Sequence, residues 1–250
     1  MYLSEPEKTI RGASVLYLGD AFELLKRVTP GVVDLVLTDP PYNVSEKNRF
    51  RTMKRKGIDF GEWDKGFDQG GWLAAVVKTM KLGGSIVIWN DWKNLGFIAA
   101  TLEELGITVK RQFVWRKTNP MPRNTDRLPV QGHEVALWGV KYRTKKVGDW
   151  TFNFEKTEEK PYLRGELHYP VQRAINPTKK PDGMFADLIN LLSDPGDLVL
   201  DPFAGCGTTM VAATMTGRRS LCIEQKREYY EDAVKRWVKA IDERLSIPDG

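Results

Sequence analysis

The run Val32-Val33-Asp34-Leu35-Val36-Leu37 stops abruptly at Thr38-Asp39-Pro40-Pro41-Tyr42. A short apolar run rich in β-branched residues, halted by an acid and two prolines, reads as a buried parallel strand meeting the loop at its carboxyl end. The prolines cannot continue a ladder, and they hold the turn stiff. One carboxylate, one rigid backbone segment and one aromatic ring therefore stand at the edge where open α/β sheets bind ligands. Taken alone, Asp-Pro-Pro is equally an ordinary strand-to-loop turn.

A second stretch changes that balance. Leu198-Val-Leu-Asp201 is followed by Gly205-Cys206-Gly207 and then by a helical pattern from Thr208 to Met215. In such a strand–glycine loop–helix unit the glycines let backbone amides approach a ligand closely. Glu224 closes the next strand, Ser220 to Ile223, at about the distance where an acid binds ribose hydroxyls in units of this kind. The unit departs from the dinucleotide fingerprint, because Met210 stands at the third glycine position. The absence of Gly-Lys-Ser/Thr excludes a nucleotide P-loop. A plainer role competes for Glu224 and for Asp20, which follows the strand Val15 to Leu18: a strand-end acid can simply cap the next helix.

The rest of the chain supplies a regular alternation. Strands centre near residues 15, 34, 86, 111, 136, 199 and 221. Helical patterns run from Ala21 to Arg27, Trp72 to Met80 (ended by Gly83-Gly84), Lys93 to Leu105, Met184 to Leu192, Thr208 to Met215 and Arg227 to Leu245. Alternating strands and helices predict an α/β fold, a mostly parallel sheet covered on both faces. Two stretches break the rhythm. Residues 43–70 hold Lys47, Arg49, Arg51, Lys54, Arg55 and Lys56, with Phe50, Phe60 and Trp63 nearby. A long basic loop just after the acid–proline turn suits a phosphate backbone, though a charge run is as often a solvated loop. Residues 140–175 hold Lys141, Arg143, Lys145 and Lys146 among Tyr142, Trp150, Phe152, Phe154 and Tyr162. Cations among aromatics can bind nucleic acid by charge and stacking. A small hairpin packing its rings beneath it would look the same.

With 250 residues, 41% of them apolar, the chain can bury one substantial core, so residues 1–250 read as a single domain. The net charge of +5 and pI near 9.1 are compatible with a polyanionic partner without requiring one. Two cysteines and two histidines give neither a disulfide framework nor a metal-ligand pattern, so no metal is expected. No apolar run approaches the roughly 18 residues of a membrane span, and the N-terminus shows no signal region. The expected compartment is the cytoplasm.

Asp39-Pro-Pro-Tyr42 together with Asp201-Pro-Phe-Ala-Gly-Cys-Gly-Thr-Thr209 resembles the S-adenosylmethionine-dependent DNA amino-methyltransferases, which methylate the exocyclic amine of adenine or cytosine. The order, catalytic motif first and cofactor loop near the C-terminus, is similar to the circularly permuted β-group of that family. Asn176-Pro-Thr-Lys-Lys-Pro181 resembles the family motif that precedes the cofactor loop, usually His-Pro-Thr-x-Lys-Pro; Asn176 departs from it. Gly19-Asp20, Leu82-Gly-Gly-Ser-Ile-Val and His133-Glu134 are further landmarks.

The resemblance implies a three-layer Rossmann-like fold, a seven-stranded sheet with one antiparallel strand. It implies S-adenosylmethionine as cofactor and double-stranded DNA as partner. It assigns catalysis to Asp39, Pro40, Pro41 and Tyr42. Asp39 and the Pro40 carbonyl would accept the two N–H bonds of the amine, and Tyr42 would stack an extruded base. Around the cofactor it places Asp20 and Ala21 at the adenine, and Glu224 and Gln225 at the ribose. Thr178 and Lys180 would meet the methionine carboxylate. Asp201, Phe203, Ala204, Gly205, Cys206, Gly207 and Thr208 would surround the methionine moiety, and Asp39 would also meet the cofactor. Residues 43–70 and 140–175 would contact DNA, the second as a small target-recognition subregion. A homodimer and a cognate restriction enzyme enter as partners by resemblance only. The expected reaction is site-specific methylation of adenine N6, since Asp rather than Ser opens the motif. The alternatives are N4-cytosine methylation, a methyltransferase of RNA or protein amides, and a non-catalytic DNA-binding module. With no Pro-Cys dipeptide, ring-carbon methylation through a cysteine nucleophile has no support.

Overall fold

The computed structural model describes residues 7–42, 67–122, 125–141, 150–154, 164–172, 175–176 and 178–246. Its strands are β1 (Lys8–Arg11), β2 (Ser14–Leu18), β3 (Val33–Thr38), β4 (Met80–Asn90), β5 (Ile107–Lys117), β6 (His133–Lys141), β7 (Glu166–Tyr169), β8 (Leu198–Asp201) and β9 (Arg219–Glu224). They form one sheet in the order β1-β2-β9-β8-β3-β4-β6-β5-β7. From β2 to β4 every pairing is parallel, and β6 runs antiparallel to both β4 and β5.

The seven expected strands are all present, with β6 as the single reversed one among them. Among the described residues the sheet has nine strands rather than seven. The extra pair, β1 and β7, lie at the edges, each hydrogen-bonded to one neighbour. Each is four residues long and too short and mixed in polarity to show a period.

Parallel strands covered on both faces must be apolar on both. Leu35 and Leu37 of β3, with Val87 and Trp89 of β4, face α4 (Asp182–Leu192) and α5 (Thr208–Met215). Val33 and Val36, with Ile86 and Ile88, face α1 (Ala21–Leu25), α2 (Gln69–Thr79) and α3 (Leu95–Glu104). The last helix, α6 (Arg227–Leu245), lays Tyr230, Ala233 and Trp237 over Leu16 and Cys222. That spacing of three and four residues is one helical face.

Gly83 and Gly84 have a different job from the expected helix stop. The helix already ends at Thr79, and both glycines lie inside β4. A Cβ on Gly84 would sit 3.1 Å from the carbonyl oxygens of Val33 and Asp34, beside the register shift between β3 and β4. Glycine is used there for close backbone approach at a bulge.

Candidate active site

β8 leads through α5 to β9 on one side, whereas β3 leads through α2 to β4 on the other. Such a divergence opens a crevice at the carboxyl ends of the two strands. Leu35 pairs with Val199 and Val36 with Leu200, so Asp39 and Asp201 emerge beside each other at that crevice. A cavity of about 280 Å³ occupies it. Every residue that the resemblance assigned to the cofactor lines this cavity except Gly207, and of the catalytic motif Asp39 and Pro41 do. Phe22 and Phe67 also line it; with Phe203 and Trp72 they form an edge-to-face aromatic cluster, Phe67 and Phe203 5.4 Å apart. Phe67 escaped the sequence reading because it stands alone at the end of an irregular segment.

The glycine loop is held from three directions. Gly205 and Gly207 take φ of +52° and +76°, and a Cβ on Gly207 would lie 2.9 Å from the Ala233 Cβ of α6. Glu224 accepts from the N–H groups of Gly205 (2.8 Å) and Lys226 (2.6 Å). Burial pushes its carboxyl above the usual range, and those N–H groups work against the shift. Arg236 donates to the Cys206 carbonyl and, at 2.5 Å, to Asp182 at the start of α4. Burial pushes the Cys206 thiol up to about 11, so it stays a neutral thiol, unsuited to act as a nucleophile.

Asp201 is almost fully buried and ties three elements together. It accepts from Thr38 of β3 (2.7 Å), Thr209 of α5 (2.5 Å) and the Phe203 N–H (3.1 Å). Burial raises its pKa to about 6 against the pull of those donors. Asp20 lines the cavity and also caps α1 through the Glu23 N–H (3.0 Å), so the plainer capping role is present alongside the lining one. Asn176 accepts from the N–H and hydroxyl of Thr178, an Asx turn that shapes the segment before Lys180.

Asp39 sits in a charged chain that reaches beyond the motif. Lys180 pairs with one of its oxygens and the Tyr42 hydroxyl donates to the other. The Lys180 ammonium is also 3.2 Å from Glu134, which in turn is 2.7 Å from Lys117. Burial raises the Asp39 carboxyl; Lys180 pulls it down and Glu134 pushes it up. Glu134 itself lies below its ordinary value, because Lys180 and Lys117 outweigh its burial. Burial would lower Lys180, yet Asp39 and Glu134 hold it above the usual lysine range. Glu134 was noticed in the sequence only as a landmark, and Lys117 not at all. The reversed direction of β6 brings Glu134, near its first residue, to the carboxyl edge.

Of the proposed DNA contacts, Lys47, Arg49, Arg51, Lys54, Arg55, Lys56, Arg143, Lys145 and Lys146 lie outside the described residues. Lys141 is among the described residues. It ends β6 beside the start of β4, at the edge opposite the cavity, and donates to the carbonyls of Val77 (2.8 Å) and Met80 (3.0 Å) at the end of α2. Of the nearby rings, Phe152 stacks on Trp138 at 5.5 Å, and the adjacent Asn153 bonds the end of α4. Among the described residues no helix is long and apolar enough to cross a membrane, and no His/Cys/Asp/Glu group could hold a metal.

Comparison with known proteins agrees with this geometry. Residues 33–235 match the DNA methylase model for N6 and N4 amino-methyltransferases. Type II methyltransferase M2.DpnII of Streptococcus pneumoniae is 29% identical over 239 residues, covering 89% of this chain and 88% of that protein. The crystal structure of the M1.HpyAVI–SAM complex is 34% identical, with a TM-score of 0.72 over 88% of this chain and 97% of its own. PvuII DNA methyltransferase (cytosine-N4-specific), 20% identical with a TM-score of 0.68 over 94% of this chain and 92% of its own, shares the fold. The protein belongs to the N6/N4 DNA methylase family and is an S-adenosylmethionine-dependent, site-specific DNA methyltransferase.

Proposed function

We propose that this methyltransferase acts on the N6 amine of adenine and that Asp39, Pro40, Pro41 and Tyr42 form its catalytic element. The observation that carries the reading is Asp39 itself, a carboxylate at the mouth of β3, one-fifth exposed and opening on the cavity. An exocyclic amine conjugated to its ring is a poor nucleophile. Asp39 and the Pro40 carbonyl accept its two N–H bonds and localise the lone pair on nitrogen. A carboxylate offers about four lone-pair sites, so the contacts to Lys180 and Tyr42 leave acceptors for the amine. Pro40 and Pro41 keep the carbonyl rigid. Tyr42 presents the ring against which an extruded base stacks, since a base inside a duplex is out of reach.

The residues around the cavity suit S-adenosylmethionine. Gly205 lines the cavity where a Cβ would meet Asn176; Phe22, Phe67 and Phe203 give an apolar wall, and Glu224 offers a carboxylate to the ribose. We assign Asp20 and Ala21 to the adenine end and Thr178 to the methionine end. When bound, the cofactor supplies an electrophilic methyl group. The preference for adenine over cytosine rests on Asp, rather than Ser, opening the motif. A homodimer and a restriction enzyme partner stand on resemblance alone.

The test is direct. The protein is incubated with S-adenosylmethionine and unmethylated genomic DNA, and the digested nucleosides are analysed by mass spectrometry. N6-methyladenine is expected. N4-methylcytosine would overturn the base assignment while keeping the chemistry.

A further inference from the structure

Lys180 is buried, with 4% of its side chain exposed, at the seam between the cavity and Asp39. An ammonium has three donors. Three acceptors surround this one: an Asp39 oxygen, a Glu134 oxygen at 3.2 Å and the Tyr42 hydroxyl oxygen at 3.3 Å. The Tyr42 proton is committed to Asp39, so its oxygen is free to accept from Lys180. The ammonium is therefore saturated without any cofactor carboxylate, the role that the motif resemblance gave it. Glu134 is in turn fixed by Lys117 at 2.7 Å. Lys117, Glu134, Lys180 and Asp39 make an alternating chain of two cations and two anions with no net charge.

We infer that Lys180 and Glu134 are positioning residues for methyl transfer, fixing both the orientation and the ionised state of the Asp39 carboxylate. The inference rests on the reading of Asp39 as the acceptor of the substrate amine. A carboxylate alone at this depth would take up a proton, and its O–H would then compete with the amine it must hold. Lys180 prevents this by direct pairing. Glu134 divides the ammonium between two carboxylates, so that Asp39 is not locked in a full ion pair and remains a strong acceptor. A single unpaired charge buried here would be destabilising, which suits a chain in which every charge faces an opposite one.

The groups that face Asp39 come from four places: Lys180 before α4, Glu134 from β6, Tyr42 from its own loop and Asp201 from β8. Asp91, after β4, acts on Tyr42. Because Lys180 and Glu134 have opposite charge, removing each has an opposite effect on the Asp39 proton. Lys180→Met raises its proton affinity and Glu134→Gln lowers it.

Two readouts test this on the full-length protein. The first is a carbon-13 NMR titration of the Asp39 carboxyl without ligands, assigned from the Asp39→Asn spectrum. The second is the pH profile of single-turnover methyl transfer at saturating cofactor and DNA. The expected result is an Asp39 titration and acid limb moved up by about one pH unit in Lys180→Met and down in Glu134→Gln, with cofactor affinity held within about threefold. If both variants leave the titration in place, move it the same way, or if Lys180→Met loses only cofactor affinity, the inference is overturned. Should Lys180→Met not fold, the direction of the Glu134→Gln shift decides. Asp39→Asn separates the two levels. Retained turnover in that variant defeats the role of Asp39 itself, whereas lost turnover with unshifted titrations in the other variants defeats only this inference.

Discussion

The backbone N–H of Gly205 donates to the Glu224 carboxylate across 2.8 Å, so the acid that ends β9 holds the glycine loop that follows β8. Its other oxygen is occupied by the Lys226 N–H. Glu224→Gln turns one of these acceptors into a donor facing an N–H group. Hydrogen bonds to a charged partner contribute about 1.5–3 kcal/mol. Cofactor affinity is therefore expected to fall roughly 10- to 100-fold by titration calorimetry. An unchanged affinity would show that Glu224 serves neither loop nor ribose in binding.

Asp201 makes stability depend on pH in an unusual direction. Its folded pKa of about 6 lies above the ordinary carboxylate value. Between roughly pH 4 and 6 the folded state keeps this proton while the unfolded chain has lost it, so stability falls as pH rises. The stabilisation is complete below the unfolded pKa and is gone above the folded one. Urea unfolding should show the wild type losing about 2–3 kcal/mol relative to Asp201→Asn across that window. Parallel slopes would remove Asp201 as the titrating group.

Lys141 donates to two carbonyls at the end of α2. Replacing it by Met strands two carbonyl acceptors, at an expected cost of about 1–3 kcal/mol in thermal or urea unfolding. With its ammonium engaged by those carbonyls, the salt dependence of DNA binding is expected to be unchanged. A shallower salt slope in Lys141→Met would restore it to the DNA interface.

Gly207→Ala combines two penalties. The φ of +76° is disfavoured for an L-residue, and the new methyl meets Ala233 at 2.9 Å. A loss of about 1–3 kcal/mol is expected from the backbone alone. Ala233→Gly in the same chain relieves the contact and should recover part of the loss. No recovery would place the whole cost in the backbone.

Much of this architecture was legible in the sequence because its devices are local. Strand runs buried on both faces, the stop at Asp39-Pro40-Pro41 and the positive-φ glycines each announce themselves within a few residues. The helices from Thr208 to Met215 and Arg227 to Leu245 fall at their expected ends. What stayed hidden depends on distance in the chain. Lys180 meets Asp39 across 141 residues, and Glu134 joins them only because β6 is reversed. The edge strands β1 and β7 hide for another reason, since four mixed residues carry no period. Lys141 stands in a run of cations that looks like surface, and only the packed structure reveals the helix end it meets.

The reversal of β6 has a wider consequence. In an all-parallel sheet, strand beginnings sit at the far rim and only strand ends reach the crevice. With one strand turned round, the chain crosses to the reactive rim at Lys117 and departs from it at His133, with an excursion between them. Both anchors of that excursion are rigid, and Lys117 and Glu134 at its feet are clasped together. Its length and composition can thus vary while Glu134, and through Lys180 the Asp39 carboxylate, stay registered at the rim of the cavity.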